Sequence, residues 1–102
     1  MIYVIAEIEL NAGSREPFLT HLQANIPNVR AEEGCLEYVA TVDAQTDLGA
    51  QPSPRPNTVT VVEKWENLDA LNAHLAAPHM ATFRANVQEF VVKTVLRVLD
   101  PA

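Results

Sequence analysis

The chain is poor in the features that most simply assign a function. It has a single cysteine, Cys35, so no internal disulfide can form. A lone thiol suits a reducing compartment such as the cytoplasm. Its three glycines form no glycine-rich run, which argues against a bound nucleotide or flavin. Seven Lys and Arg face thirteen Asp and Glu, a net charge of −6. No basic face is available for nucleic acid or for an anionic membrane surface. The apolar opening MIYVIAEIEL is broken by Glu7 and Glu9 and has no basic leader, so it reads as a strand rather than a signal peptide or membrane span. His74 and His79 are separated by Pro78 and lack the i, i+4 helical spacing of paired ligands, so no metal site is expected.

What the chain does have is apolar patterning. With 48% apolar residues in 102, it is expected to fold as one domain over residues 1–102. Residues 2–10 alternate, with Val4, Ala6, Ile8 and Leu10 on one face and Tyr3, Ile5, Glu7 and Glu9 on the other. Asn11-Ala12-Gly13 is a turn, and Ser14 is placed to cap a helix whose stripe is Phe18, Leu22 and Ile26. Pro27 is expected to kink or interrupt that helix, Val29 and Arg30 to carry a further turn or two, and Gly34 to stop it. A second strand spans Cys35 to Val42, with Leu36, Tyr38, Ala40 and Val42 on its apolar face. The segment from Asp43 to Asn57 holds three of the seven prolines and reads as a long loop, mobile or lying over a pocket or a dimer edge.

The stretch from Thr58 to Phe83 organises the rest. Thr58 to Val62 are β-branched and predict a strand ending at Trp65. Asn67 is an N-cap, and Leu68, Leu71, His74 and Leu75 share a helical stripe. Pro78 ends that helix and can start another, carrying Met80, Phe83, Val87 and Phe90. Val91 to Leu99 is a last strand, with Val91, Lys93, Val95, Arg97 and Leu99 on one face. The order βαββα(α)β predicts a ferredoxin-like α+β sandwich with helices on one side of the sheet. Tyr3, Ile5, Val91, Val95 and Leu99 then leave the other side too apolar for water, which predicts a homodimer packed sheet to sheet.

Three residues of the organising stretch could carry chemistry. Glu63 falls in an apolar strand facing the helices, where a carboxylate needs a partner. It is expected to brace the chain or to orient His74. His74 lies on the leucine stripe, and an imidazole can take a proton near neutral pH. Trp65 can cap the core or form a flat wall for an aromatic ring. Tyr38, Met80 and Phe83 read as pocket wall or core, and His79 as a helix-start cap or a site residue.

Trp65-Glu66-Asn67, Ala73-His74-Leu75, Pro78-His79-Met80 and Ala31-Glu32-Glu33-Gly34-Cys35, in that spatial company, resemble the antibiotic biosynthesis monooxygenase (ABM) family. The likeness covers nearly the whole chain and is nearest to the bacterial quinol monooxygenase branch. It implies a dimeric α+β barrel and an oxidoreductase that uses dioxygen on a hydroquinone or similar small phenol without metal or flavin. Haem-degrading relatives carry an asparagine, a tryptophan and a histidine where this chain has Ala6, His74 and Arg84, so haem breakdown is not implied. Relatives that oxidise polycyclic phenols share Trp65 and Arg84, whereas Val61 and Leu71 replace their polar pair. The resemblance thus adds Val61, Leu71 and Arg84 to the residues that would meet substrate. It leaves His74 as base, Glu63 as its orienting group and Trp65 as ring wall. Two other readings fit the same scaffold: an isomerase of a small carbonyl compound, and a dimeric binding module without catalysis.

Overall fold

The alternation at the start of the chain becomes β1 (Ile2–Leu10), with Ile2, Val4, Ala6, Ile8 and Leu10 buried. It is followed by α1 (Arg15–Arg30), β2 (Cys35–Thr41), β3 (Thr58–Trp65), α2 (Leu68–Leu75), α3 (Pro78–Val87) and β4 (Val91–Leu99). The computed structural model describes residues 1–102. All strand pairs are antiparallel, in the order β2-β3-β1-β4, and the fold is a ferredoxin-like α+β sandwich. β3 turns Val59, Val61, Glu63 and Trp65 towards the helices. Phe18, Leu22 and Val29 of α1, Leu71 of α2, and Met80 and Val87 of α3 close the core over them. Asn67 caps α2 as its position predicts, its side-chain oxygen accepting from the Ala70 N–H at 2.9 Å. Pro78 opens α3 after an extended Ala77.

Several local expectations are corrected. α1 is not interrupted at Pro27; it runs on to Arg30, the turn expected of Val29 and Arg30, with Val29 fully buried against the sheet holding that turn in place. Ser14 occupies the cap position, but its side chain makes no capping bond. Gly34 does not stop α1. It sits in the following turn at φ 81°, and its carbonyl accepts from the Glu66 N–H at 2.9 Å. Leu68 is 54% exposed, so it leaves the α2 stripe. Phe90 lies beyond the end of α3.

Two irregularities in register change which residues face the helices. Cys35 pairs with Trp65, but Glu37 pairs with Lys64, so Leu36 is the extra residue and is 50% exposed. Tyr38 is thereby seated in the core, while Val42 lies past the strand end and is exposed. On the other side of β1, Glu9 pairs with Lys93 and Leu10 with Val91. The intervening Val92 is skipped, so Val91 joins Leu10 on the helix side, contrary to the alternation expected of it. Lys93, Val95, Arg97 and Leu99 keep the expected open face, opposite Glu9, Glu7, Ile5 and Tyr3. That face also carries Val39 and Val62, paired with each other. No helix covers it.

The loop between β2 and β3 is tied at its ends. The Asp43 carboxylate receives a fork from Arg55 at 2.8 and 3.1 Å and the Arg55 backbone N–H at 2.9 Å. These bonds hold the Asp43 carboxyl at about 2. Arg55 also reaches Glu7 at 3.4 Å, on the open sheet face. The loop end therefore reaches that face, and its Arg55 carbonyl also accepts from Arg15 at the start of α1 at 3.1 Å.

Gly34 gives a stability test. A Cβ there would come 2.6 Å from the Ala70 Cβ, whereas one at Gly13 (φ 77°) would meet nothing within 4 Å. Both substitutions incur the left-handed penalty of about 1–2 kcal/mol. Gly34→Ala should be the more destabilising by at least about 1 kcal/mol in denaturant titration, because α2 must move away. Equal losses at the two sites would show that the close approach of α2 is unimportant.

Candidate active site

Between α3 and the β1–β4 side of the sheet lies a cavity of about 380 Å³. The helices pack most closely over β2 and β3, and the cavity lies on the β4 side, where α3 residues face Val91, Thr94 and Leu96 across it. Ala6, Ile8, Phe18, Leu22, Val61, Met80 and Phe83 give it an apolar lining. Val91, Thr94 and Leu96 form the β4 side, and the bulge at Val92 is what brings Val91 there. Tyr38, Glu63, His74 and Arg84 are its titratable lining residues, and Gln88 and Thr94 add uncharged polar groups.

His74 is 2% exposed. Its ring lies 4.7 Å from that of Trp65 and 5.6 Å, edge to face, from that of Tyr38. The carboxylate that reaches it belongs to Glu32, whose Oε2 is 2.7 Å from Nδ1. Of the two roles expected of Glu63, it takes the bracing one and does not orient His74. Its Oε1 accepts the indole N–H of Trp65 at 2.9 Å, two residues along the same strand face. Trp65 itself is fully buried behind His74 and forms no part of the cavity wall. Leu71 is core, and His79 lines a polar groove between α1 and α3 rather than the cavity. Tyr38, Met80 and Phe83, read from the sequence as pocket wall or core, and Val61 and Arg84, added by the resemblance, line the cavity.

The electrostatics follow from burial. Removal from water pushes the Glu63 carboxyl up to about 7, with the Trp65 hydrogen bond opposing and the Glu32 charge reinforcing the shift. Burial lowers His74 below 6.5, and His79 and Arg84 add to this, while the bond and charge of Glu32 oppose it. The resting imidazole is thus neutral at neutral pH. A carboxylate can only accept, so Nδ1 carries the proton and Nε2 keeps its lone pair. Burial and the nearby Glu63 and Glu32 raise the Tyr38 phenol well above its usual value, so it stays a hydroxyl. Burial and the same two carboxylates raise the Cys35 thiol, which is no activated nucleophile. Arg84 is exposed at the rim and donates to the Leu75 carbonyl at 2.6 Å, which ties α3 to the end of α2.

Glu32 is the site residue that sequence patterning does not reveal. It lies 42 positions from His74, in the turn after α1, where an acidic pair before glycine reads as a helix end. Its only signal is its place in the Ala31–Cys35 motif.

A family model described as antibiotic biosynthesis monooxygenase matches residues 1–86. The chain belongs to the antibiotic biosynthesis monooxygenase family. YgiN of Escherichia coli K12, a probable quinol monooxygenase, is 35% identical over 99% of this chain and 98% of its own length. Rv0793 of Mycobacterium tuberculosis is 30% identical over 99% of this chain and 94% of its own. Its solved structure matches with a TM-score of 0.80. PA3566 of Pseudomonas aeruginosa, at 23% identity, covers 99% of this chain and 93% of its own, and shares the fold with a TM-score of 0.81. By family the chain is a monooxygenase and an enzyme. No helix is long and apolar enough to cross a membrane.

Glu63 should leave a signature in stability. Its folded value, about 7, lies above the ordinary 4.5, so the folded chain holds a proton that the unfolded chain releases between those limits. Stability from this group is therefore full below pH 4.5 and falls as pH rises to 7, by about 3 kcal/mol. Glu63→Gln, which can still accept from Trp65, should abolish that decline. A variant whose denaturant midpoint falls with pH as steeply as the wild type would exclude Glu63 as its source.

Proposed function

We propose that the protein is a homodimeric monooxygenase that oxidises a hydroquinone or similar one- or two-ring phenol with dioxygen, using no metal or flavin. The observation that carries the reading is a buried, neutral imidazole on the wall of an apolar cavity, held through Nδ1 by a carboxylate. The naming of YgiN as a probable quinol monooxygenase supports it. About 380 Å³ is in the range of small-molecule sites and suits a flat aromatic ring.

In this reading His74 Nε2 removes a phenolic proton, and the electron-rich anion passes an electron to dioxygen. The two radicals combine at a ring carbon. Loss of water then gives a hydroxyquinone, so one oxygen atom enters the ring and the other leaves as water. The apolar lining keeps bulk water from the anion, and Arg84 at the rim favours its charge. Glu63 and Tyr38 are placed to bond the substrate oxygens, Glu63 as a group that titrates near neutrality. Val61, Met80 and Phe83 shape the ring pocket, with Trp65 and Leu71 supporting it from behind. His79 acts from outside, across Glu32.

The dimer follows from the uncovered face of Tyr3, Ile5, Val39, Val62, Val95 and Leu99. Burying it would need a second apolar sheet, and a second copy supplies one. A single half-buried thiol fits the cytoplasm.

Purified protein free of metal and flavin should consume oxygen with a reduced naphthoquinone faster than a no-protein control. The rate should rise with pH and level off early, since His74 is lowered from 6.5. His74→Ala should remain folded and lose roughly 10²-fold or more in rate. If wild type and variant both match the control, the oxidase reading fails. Proton exchange at a substrate carbon would then favour the isomerase, and binding alone the carrier.

The dimer has its own test. Val95→Glu, placed opposite Glu7, should shift the protein from dimer to monomer in sedimentation equilibrium. A wild type that sediments as a monomer at micromolar concentration would remove the sheet-to-sheet dimer.

A further inference from the structure

Glu32 faces two imidazoles, and the proposed mechanism needs only one. Its Oε2 lies 2.7 Å from His74 Nδ1 and 3.6 Å from His79 Nε2. The two rings are 6.5 Å apart. Both ring nitrogens of His79 are buried without a hydrogen-bond partner. Such a group is rare in a folded chain and calls for a reason. The Glu32 carboxylate is the acceptor nearest at hand, and His74 holds it. The three side chains come from three elements: the turn after α1, α2 and the start of α3. They form a line from the cavity wall to the polar groove between α1 and α3, which His79 lines with His21, Asn25 and Thr82.

We propose that Glu32 is the positioning residue of His74, and that His79 opposes it: the carboxylate fixes the Nδ1–H tautomer and strengthens the base, while His79, across the same oxygen, weakens it. This deepens the reading of His74 as general base and rests on that reading for its catalytic meaning. The physical coupling stands without it. An acceptor at Nδ1 leaves the Nε2 lone pair as the one site for a substrate proton. The negative charge then steadies the imidazolium that forms, as the carboxylate of a catalytic triad does without itself taking the proton. His79 acts with the opposite sign, because its Nε2, 3.6 Å from the same carboxylate oxygen, competes with His74 for that charge. The other groups around His74 are Tyr38 from β2, Glu63 from β3 and Arg84 from α3. Of these, Arg84 also disfavours the imidazolium, while Glu63 is turned to Trp65.

The test is nitrogen-15 NMR of the histidine-labelled, substrate-free protein, titrated with acid. In the wild type, His74 should show the Nδ1–H tautomer. Glu32→Gln keeps an acceptor oxygen but loses the charge, so the tautomer should persist and the His74 titration should move to lower pH. Glu32→Ala should lose the tautomer preference as well. His79→Gln should move the His74 titration to higher pH. The acid limb of oxygen consumption should follow: lower pH with a smaller plateau in Glu32→Gln, higher pH in His79→Gln. A purely structural role would lower rates without moving the limb. A His74 titration unmoved in Glu32→Gln, or moved the same way in both variants, overturns the proposal. Absence of oxygen consumption in the wild type would sink the oxidase reading alone, since the NMR titration measures the Glu32–His74 coupling without turnover.

Discussion

Everything at the site depends on burying one imidazole. His74 is 2% exposed, between an indole and a phenol ring, a setting that would cost free energy for any polar group left unbonded. Its 2.7 Å contact with Glu32 offsets that cost and is charge-assisted when the ring is protonated. Two neighbouring polar groups are paired on the same principle, whereas His79 is not. The Trp65 N–H has Glu63, and the Asn67 cap starts the helix that carries His74. Without Glu32 the imidazole would lose the acceptor that holds its Nδ1 proton.

The backbone around this contact is shaped to permit it. Gly34, in the left-handed region, lets α2 come close enough that a Cβ would collide with Ala70. That approach brings the α1–β2 turn, and Glu32 with it, over the end of α2. The extra residue at Leu36 then resets the register so that Tyr38 faces His74. On the far side, skipping Val92 turns Val91 inward and completes the cavity wall beside Thr94 and Leu96. Each device is a local departure from regular geometry, and the cavity is assembled from them.

The two faces of the sheet divide the labour. The helix side holds the core, the cavity and the titrating groups. The open side carries a row of half-buried apolar residues and the Glu7–Arg55 end of the long loop. The fork between Asp43 and Arg55 keeps that loop at the open side, so a long, proline-rich segment that invites a reading as a lid stays away from the cavity.

The sequence by itself determined the elements and their class. Alternation in residues 2–10, the β-branched run from Thr58, the Asn67 cap and the Pro78 break are local, and local backbone and solvation preferences suffice to read them. One-sided periodicity also put His74 on the helix stripe and left Tyr38, Met80 and Phe83 as pocket wall or core, while Val61 and Arg84 came from the family resemblance; all of them line the cavity. Only the tertiary structure decided the partners. Period-two counting cannot foresee a skipped residue, so Val91 and Leu36 fell on the wrong faces. The burial of Val29 outweighed the hydrogen bond lost at Pro27, and α1 ran on. Proximity in strand order suggested Glu63 as the partner of His74. The indole two residues away took that carboxylate instead, and a turn 42 positions distant supplied Glu32. Pairings at that separation are set by how layers dock, and no period in the chain encodes them.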